Sequence, residues 1–407
     1  MVYDDIIIGS GLAALGAAIG LAASRKVLVI GGAEKAELEF YSDQKSIPCS
    51  YTGVGGLGNF WHGVVPTGIE APYAQESSKE LVELFQYFYP RSSIQDRIGR
   101  RWLFVPRRPV RPRREWARLS RQRGGNLRFL PLLADRFDIG DSGPTVFAGA
   151  ETFKSRRLWI AAGVINSPKI VALSVSPSVR RPFVSDHIIC YVGQLEQGTP
   201  GVSGPRVERT SEGFWLSFER SLDGSALLTR RPARFDYRRL DYGIEQRAIF
   251  GLPTNNAIAT LLRATSPGLV AEALFNKFGL FPNSRVLSVY AQILVEDALR
   301  VSLEDASMTP VHRSAAQAMA RLSLPWPELV KSRRLDLFLR GIHLHHSLDL
   351  DAMKTAGLSS DQSTVRVVDA SAISQIGPEH HSFYTMARAY RLSRQVTAVG
   401  SRLQTLS

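Results

Sequence analysis

The sequence predicts an α/β protein of more than one domain that opens with a Rossmann-like unit. Residues 5–31 read as an apolar strand, a glycine-containing turn, an Ala/Leu-rich helix and a second apolar strand. The chain has 407 residues, which is too long for one ordinary hydrophobic core. Its composition, 44% hydrophobic and 21% charged, excludes a disordered, collagen-like or coiled-coil chain.

The first two strands and the helix between them form the N-terminal unit. The strands are expected at Asp5–Ile8 and Val27–Ile30, each apolar enough to be buried in a parallel sheet. The helix between them is expected to end near Ser24. Arg25 and Lys26 follow, where positive charge suits the negative end of the helix dipole. This order of elements predicts a βαβ unit.

The turn after the first strand carries a dinucleotide-binding pattern. Gly9 permits the tight turn, Gly11 lets the backbone approach a pyrophosphate, and Ala14 is small where the helix meets the strand. The acid that usually ends the second strand and holds the ribose is replaced by the glycines at 31–32. Glu34 lies just beyond and is the expected substitute.

Charge is concentrated in one segment of the chain. The formal net charge is +13, and twelve arginines against two acids lie between Arg91 and Arg123. Two interpretations remain open: a solvated basic loop, or a docking surface for anionic lipid, an acidic saccharide or a phosphorylated substrate. Trp102, Phe104 and Trp116 are interleaved as nucleic-acid stacking platforms would be, but no recognised nucleic-acid module surrounds them. Nucleic acid is therefore not the expected partner.

Cysteine content and the N-terminus bear on the compartment. Cys49 and Cys190 are too few for a disulfide framework or a four-cysteine zinc site. A reduced cytoplasmic protein is expected, with one long-range disulfide as the alternative. The apolar N-terminal segment begins with Asp4 and Asp5 rather than positive charge, so we expect no signal peptide. Peripheral association with the inner membrane face is the alternative that the Arg91–Arg123 loop raises.

Glycine and proline mark further elements along the chain. Four glycines lie within six positions at 53–58, a density that indicates backbone pressed against a flat or charged group. Residues 158–168 read as another strand and turn followed by a helix that starts with Pro168. Further strands and helices are expected at residues 127–132, 145–148, 214–218, 267–279, 312–322, 365–368 and 382–397.

Four motifs, in order and spread over the chain, together resemble the glucose–methanol–choline (GMC) flavoprotein oxidoreductases in a short bacterial form. The N-terminal glycine turn is similar to that family's FAD pyrophosphate turn. Gly53–Gly63 resembles its glycine-rich flavin loop, and Leu158–Ile170 resembles its Ala-Ala-Gly-x-x-Asn-Ser-Pro-Lys segment. Val368–Ser371, leading into Glu379–Phe383, resembles its C-terminal flavin and active-site stretch.

The resemblance implies a fold of two parts. A Rossmann-like FAD-binding domain would be discontinuous, over residues 1–66, 125–186 and 360–407. A substrate domain built on an antiparallel sheet would cover the flavin with residues 187–359. Residues 67–124 would be an Arg-rich loop or insertion.

The resemblance also implies FAD as the cofactor. Some family members attach FAD covalently through a histidine of the glycine-rich loop, and alignment on Trp61 places Phe60 at that position. Non-covalent FAD is therefore expected, with no bond to His62. The residues expected to hold FAD are Gly9, Gly11, Ala14, Glu34, Gly55, Gly56, Asn59, Trp61, Ala162, Gly163, Asp369 and His381.

The reaction that the resemblance implies is oxidation of a CH–OH group. In the family a histidine removes the hydroxyl proton, a second His or Asn lies beside it, and hydride passes to flavin N5. Spacing from the last helix places His380 at the second position. For the first position His345 fits best, and His343 and His346 remain alternatives, because the family's Gly-Thr is missing there.

The clustered histidines also allow a metal site or a structural role. The histidines near residues 343–346 and 380–381 lie at ligand-like spacing, but no acid or cysteine completes a known metal pattern, so no metal is expected. His187, in Asp186-His187, is as readily structural as catalytic. The expected substrate is a small alcohol, a sugar or a lipid-linked molecule. A redox-neutral flavin reaction and a degenerate flavoprotein that binds acidic partners remain the alternative functions.

Overall fold

The computed structural model describes residues 2–41, 48–61, 63–68, 75–198, 204–232, 286–301, 308–331, 338–341, 343–358, 363–374 and 376–404. The helices of these residues are α1 (Leu12–Gly20), α2 (Ser78–Phe88), α3 (Pro112–Arg123), α4 (Gly163–Ser174), α5 (His312–Ala320), α6 (Leu350–Thr355) and α7 (Ser382–Gln404).

The strands fall into three larger sheets and one pair. Their bounds are β1 (Val2–Ile8), β2 (Val27–Ile30), β3 (Leu38–Phe40), β4 (Pro48–Tyr51), β5 (Val65–Pro66), β6 (Trp102–Pro106), β7 (Leu127–Leu130), β8 (Arg136–Gly140), β9 (Gly143–Ala148), β10 (Glu151–Ile160), β11 (Phe183–Glu196), β12 (Val207–Arg209), β13 (Gly213–Ser217), β14 (Glu219–Arg220), β15 (Ala226–Pro232), β16 (Val286–Val301), β17 (Met308–Pro310), β18 (Val330–Lys331), β19 (Phe338–Arg340) and β20 (Val365–Val367).

The first sheet has the order β7-β2-β1-β10, with all four strands parallel. At its far end the carboxyl half of β10 pairs with β20 in parallel, and the amino half pairs with β9 in an antiparallel ladder that continues to β8. β2 and the carboxyl end of β1, residues 6–8, are buried on both faces, as their unbroken apolar sequences predict. The predicted Rossmann-like βαβ unit is confirmed.

Helix α1 is shorter than predicted, and it packs closely on helix α7. It ends at Gly20 rather than near Ser24, because Leu21 has extended backbone angles. Arg25 does not cap the helix; its guanidinium forms an ion pair with the buried Asp5 of β1. Helix α7 lies so close that a Cβ on Gly16 would stand 2.2 Å from the carbonyl oxygen of Met386.

The second sheet is antiparallel, with the order β14-β15-β16-β11 and with β18 and β19 along the outer side of β11. β17 pairs with the carboxyl end of β16, at residues 299–301. Apolar side chains of β11 and β16, such as Val184, Ile188 and Ile293, form its core. This sheet confirms the mixed α/β fold class with an antiparallel second sheet.

The Arg-rich segment is not a loop, which corrects the sequence prediction. β6 lies inside it and joins β5 and β13 in a small antiparallel sheet. Helix α3 follows, and its buried residues Pro112, Trp116 and Leu119 recur at helical spacing. The segment folds because its apolar residues fit a strand and a helix, while its arginines occupy the other positions.

Smaller differences concern helix α4, the cysteines and the segment limits. Pro168 lies inside α4 rather than at its start. Cys49 and Cys190 are buried free thiols, so the alternative of a long-range disulfide was wrong. The predicted limit between residues 186 and 187 falls within β11, while the domain division itself stays a prediction. The predicted helix at 267–279 lies outside the described residues.

Candidate active site

The carboxyl ends of the parallel strands form one edge of the first sheet, and the predicted cofactor residues gather there. Gly9 follows β1, Gly31 follows β2, Ala162 and Gly163 follow β10, and Asp369 follows β20. In open α/β sheets ligands bind in the crevice outside these ends. The topology therefore brings together residues that are far apart in the sequence.

Gly9 and Gly11 have different reasons to be glycine. Gly9 has a φ of +110°, and a Cβ there would lie 2.1 Å from the carbonyl oxygen of Ala161, so no other residue fits. A Cβ on Gly11 would meet only the carbonyl oxygen of Gly55 at 3.9 Å. Its backbone thus faces open space at the first turn of α1, where unpaired amides favour an anion. Ala14 is fully buried against the sheet.

The glycine-rich loop packs directly on this turn. The amide of Gly55 donates to Oγ of Ser10 at 2.9 Å, and Gly55 and Gly56 both have positive φ. A 3₁₀ turn follows at Gly56–Asn59, and Nδ2 of Asn59 donates to the carbonyl oxygen of Val54 at 2.7 Å. The predicted flavin loop and the predicted pyrophosphate turn therefore form one surface.

Helix α3 supports that surface from behind, a role that the sequence reasoning missed. The indole Nε1 of Trp116 donates to the carbonyl oxygen of Ser10 at 2.7 Å. The amide of Arg113 donates to Oδ1 of Asn59 at 3.3 Å, and the guanidinium of Arg111 bonds the carbonyl oxygen of Trp61. The signal available in the sequence was the helical spacing of Pro112, Trp116 and Leu119.

Asp369 joins two of the loops at the crevice. Its Oδ2 accepts from the amide of Gly163 at 2.8 Å and from Oγ of Ser167 at 2.5 Å, and its Oδ1 accepts from the amide of Ser371 at 3.0 Å. These contacts occupy the carboxylate, so Asp369 shapes the crevice by holding the loops after β10 and β20. Glu34, the predicted ribose ligand, is exposed on the segment after β2.

The crevice has features that fit a dinucleotide with a flat, polar ring system. A Cβ on Gly163 would meet no atom within 4 Å. Within the described part of the chain, the buried ring nitrogens Nε1 of Trp61 and Nδ1 of His381 have no hydrogen-bond partner. Buried polar atoms of this kind are normally paired, and FAD carries the carbonyl oxygens and ring nitrogens that would pair them. The residues present therefore fit FAD.

Five histidines form a cluster beside this crevice: His187, His343, His345, His380 and His381. Their contacting ring centroids lie 5.1–6.0 Å apart. The closest approach joins Nε2 of His343 to Nδ1 of His380 at 3.0 Å. Nδ1 of His343 lies 3.2 Å from Oγ of Ser382, so both of its ring nitrogens have partners.

His345 takes a different position from the one that the spacing favoured. Its Nδ1 lies 3.1 Å from the main-chain oxygen of His343, and its backbone pairs with Ser185. The ring next to His380 is therefore His343, the alternative two residues earlier. His346 has a φ of +58°, and its ring lies against Arg181, outside the cluster.

His187 is the member of the cluster that the sequence reasoning left undecided. It is fully buried on β11, and its Nε2 lies 2.9 Å from the carbonyl oxygen of Gly377. The signal for His187 in the sequence was the Asp186-His187 pair, which lies on β11 of the second sheet. His62, in the glycine-rich loop, lies outside the described residues.

Burial keeps His187, His343, His345 and His381 neutral, and repulsion between neighbouring rings adds to this effect for the last three. Burial lowers the pKa of His187 to about 4. Burial, and then the repulsion that a protonated His187 would exert, lower the pKa of His345 to about 3. The pKa of His343 is lowered well below its ordinary value by burial and then by the neighbouring histidines, and the same holds for His381. Neutral imidazole is the form that accepts a proton.

The segment that carries His343 is bonded to the crevice. Oγ of Ser347 donates to the carbonyl oxygen of Val164 at 2.6 Å, next to Gly163. The amides of His346 and Leu348 donate to the carbonyl oxygens of Ala370 and Ser371, directly after Asp369. We call the turn at 9–14, the loop at 53–59 and Gly163 the glycine cradle. The histidine cluster is bonded to it through Val164, so the two are parts of one site. Among the described residues no group of three or more His, Cys, Asp or Glu is arranged to hold a metal ion.

The fold matches solved structures over nearly the whole chain. Pyridoxine 4-oxidase from Mesorbium loti is 12% identical, with 97% of this chain and 99% of that chain covered and a TM-score of 0.56. An FAD-dependent oxidoreductase from Chaetomium thermophilum is 13% identical, with coverage of 98% and 100% and a TM-score of 0.55. A formate oxidase is 12% identical, with coverage of 98% and 99% and a TM-score of 0.51.

Pyridoxine 4-oxidase and formate oxidase are GMC flavoprotein oxidoreductases. The chain has the GMC oxidoreductase fold. The likeness to GMC proteins that the four motifs predicted is thereby confirmed at the level of the fold. No family model and no curated protein matches the sequence. The GMC fold is thus carried by a sequence that has diverged far from these solved structures.

Proposed function

We propose that this chain is an FAD-dependent oxidoreductase that oxidises a CH–OH group of a small molecule. The observation that carries the proposal is the contact between the rings of His343 and His380, 3.0 Å apart, beside the glycine cradle to which the segment of His343 is bonded. Oxidation of an alcohol needs a group that takes the hydroxyl proton and a partner that takes the hydride. The pair offers the first, and the cradle fits FAD, which supplies the second when bound.

The cradle residues that would hold FAD are those of the glycine turn and the flavin loop, with Trp61 and His381 at the buried end. Non-covalent binding is part of the proposal. Phe60, where a covalent link would need a histidine, is buried and packs edge-on against Tyr51 with ring centroids 5.3 Å apart.

In this proposal the His343–His380 pair takes the hydroxyl proton of the substrate. His343 is neutral because it is buried, and Ser382 and His380 fix its ring on both sides. His380 is half-buried and therefore nearer to solvent. We assign the hydroxyl proton to the pair as a unit, because a proton on either ring is shared across the short contact.

Helix α7 contributes charge to the same place. It begins at Ser382, directly after His380 and His381. The partial positive charge at its N-terminus favours the negative charge that develops on a substrate oxygen when the proton leaves. The substrate class is an alcohol or a sugar, and pyridoxine and formate, named for the similar structures, belong in the first panel.

The experiment begins with the purified protein. Acid precipitation should release FAD into the supernatant, and flavin that stays with the pellet would contradict non-covalent binding. Anaerobic mixing with pyridoxine, formate, aliphatic and aromatic alcohols and sugars should bleach the flavin with at least one of them. His343→Ala should then slow flavin reduction by about 10²–10⁴-fold with FAD content unchanged.

Two variants complete the experiment. His380→Asn should have a milder effect than His343→Ala, because Asn retains a hydrogen-bonding group. His346→Asn is the control, since its ring lies outside the cluster and Asn tolerates the left-handed backbone. Protein that takes up no flavin even with added FAD would defeat the cofactor proposal. Bound flavin that no substrate of the panel reduces would favour the redox-neutral alternative.

A further inference from the structure

The pairing of β11 with the chain that follows β19 contains an irregularity next to His343. The amide of Gly341 donates to the main-chain oxygen of His187 at 2.7 Å, in register with the Ile188–Arg340 pair. Further along, Ser185 pairs with His345. Asp186 is therefore the one residue of β11 between these two pairs, whereas His343 and Leu344 both lie between them on the other strand, which forms a bulge there. Such bulges redirect side chains and are common beside active sites.

The Asp186 carboxylate replaces the missing ladder bonds at this bulge. Its Oδ1 accepts from the amide of His343 at 2.9 Å and from the amide of His187 at 2.8 Å. The two amides belong to two of the clustered histidines on opposite sides of the bulge. A single oxygen atom therefore fixes the backbone of both.

The carboxylate is itself held from the other side. Asp186 is fully buried, and its Oδ2 accepts from the hydroxyl of Tyr41 at 3.3 Å. The guanidinium of Arg340, 1% exposed, lies 5.5 Å from the centre of the Tyr41 ring and attracts the carboxylate. Burial of a carboxylate is costly without such partners, so the presence of three kinds of partner indicates a built feature rather than a chance contact.

We propose that Asp186 is the positioning residue for His343, because its carboxylate stabilises the bulge that carries the His343 ring to His380. This inference rests on the proposed function for its catalytic meaning, but its geometric content does not. Asp186 reaches the His343 amide and not the ring, so it acts through the backbone. The role of the Tyr41 hydroxyl is to hold Oδ2 so that Oδ1 faces both amides.

The test uses the full chain with FAD and selectively ¹⁵N-labelled histidine. Ring signals are assigned with His343→Gln and His380→Gln. In Asp186→Ala, which removes the oxygen that accepts both amides, the ring signals of His343 and His380 should both shift. Asp186→Asn keeps a neutral, weaker acceptor oxygen and should shift the same signals by a smaller amount. Asp135→Asn is the matched control, because its exposed carboxylate also accepts a backbone amide, that of Gly149, far from the cluster in sequence. Its histidine signals should match the wild type.

With a reducing substrate, Asp186→Ala should also slow flavin reduction by about 10²-fold with little change in apparent substrate affinity, the effect of a misplaced catalytic group. Unchanged His343 and His380 signals in folded Asp186→Ala would overturn the inference. If that variant does not fold, Tyr41→Phe decides, since it removes only the bond to Oδ2 and should shift the His343 signal by a smaller amount. If no substrate reduces the flavin, the proposed function fails while the ring signals still decide the positioning role.

Discussion

The histidine cluster shows how one buried neighbourhood sets the chemistry of several residues. A proton on His343 would be separated from water. It would also face the rings of His187, His380 and His381, whose centroids lie 5.1–5.5 Å from that of His343. Desolvation and repulsion both disfavour that charge, so the folded protein keeps His343 neutral. The same lowering of the pKa makes the folded state sensitive to acid.

The stability of the protein should therefore fall as the pH falls below about 6.5. An unfolded histidine titrates near 6.5, whereas His187 titrates at about 4 and His345 at about 3 in the folded chain, and His343 and His381 are lowered as well. Below pH 6.5 the unfolded chain binds more protons, so this stability is present above about pH 6.5 and is lost as the pH falls toward the folded values.

Asp186 acts in the opposite direction, because burial raises its pKa to about 6 and the folded chain takes up that proton first. It offsets about one of the protons that the histidines contribute. Urea unfolding at fixed FAD concentration between pH 7 and pH 5 should show a decline of about 1.4 kcal/mol per pH unit for each net proton. His345→Gln should reduce the slope of this decline by up to the contribution of one proton. A slope equal to that of wild type would contradict the lowered pKa of His345.

At the scale of elements, helix α3 links the Arg-rich segment to the cofactor cradle. Its indole donor Trp116 holds the carbonyl oxygen of Ser10, whose own Oγ accepts from Gly55. The turn after β1 and the glycine-rich loop are thus fixed to each other and to α3. The helix bears on cofactor binding although none of its residues belongs to the four sequence motifs.

Trp116→Phe should weaken FAD binding without changing the reaction. Phenylalanine keeps most of the buried ring but leaves the Ser10 carbonyl without its donor, at a cost of about 1 kcal/mol, or roughly fivefold in the dissociation constant of FAD. Flavin fluorescence titration of the apoprotein measures it. Trp102→Phe is the control, since Trp102 lies on β6, which pairs with β5 and β13. Equal FAD affinity in wild type and Trp116→Phe would mean that α3 does not support the cradle.

How far the sequence predicts these elements depends on how local their signals are. The first strand, the glycine turn and the second strand are encoded within residues 5–31, so the unit could be predicted. The strand and helix of the Arg-rich segment could have been predicted from the spacing of its apolar residues, but the density of arginine suggested a loop. The place of His343 beside His380 depends on the bulge opposite Asp186, a contact across about 157 residues that no local pattern reports.

At the scale of the whole molecule, the surplus of positive charge is the main feature that the proposed site does not use. Of the twelve arginines between Arg91 and Arg123, eight are exposed: Arg91, Arg100, Arg101, Arg107, Arg108, Arg113, Arg114 and Arg121. No helix in the described part of the chain is both long and apolar enough to cross a membrane.

Docking to an anionic surface predicts a salt-sensitive interaction that depends on where the charge lies. Each basic residue near such a surface contributes about 1 kcal/mol, so replacing Arg107, Arg108, Arg113 and Arg114 with Ser should reduce partitioning onto anionic vesicles by roughly 10³-fold at low salt. Wild-type binding should also weaken steeply toward physiological ionic strength, where screening acts beyond about 8 Å. Cosedimentation with anionic and neutral vesicles measures both effects.

The decisive comparison in that experiment keeps the net charge equal. A control with Lys35, Arg128, Lys154 and Arg156 replaced by Ser loses the same four charges from exposed positions outside the Arg-rich segment. If the segment docks, the control should keep most of its vesicle binding, whereas equal losses in both variants would mean that only the overall charge matters. FAD content must be the same in both, because Arg113 lies beside Asn59 of the flavin loop. Wild-type protein that ignores anionic vesicles at low salt would leave these arginines as a solvated surface, and the segment's contribution would then be the support that α3 gives to the cradle.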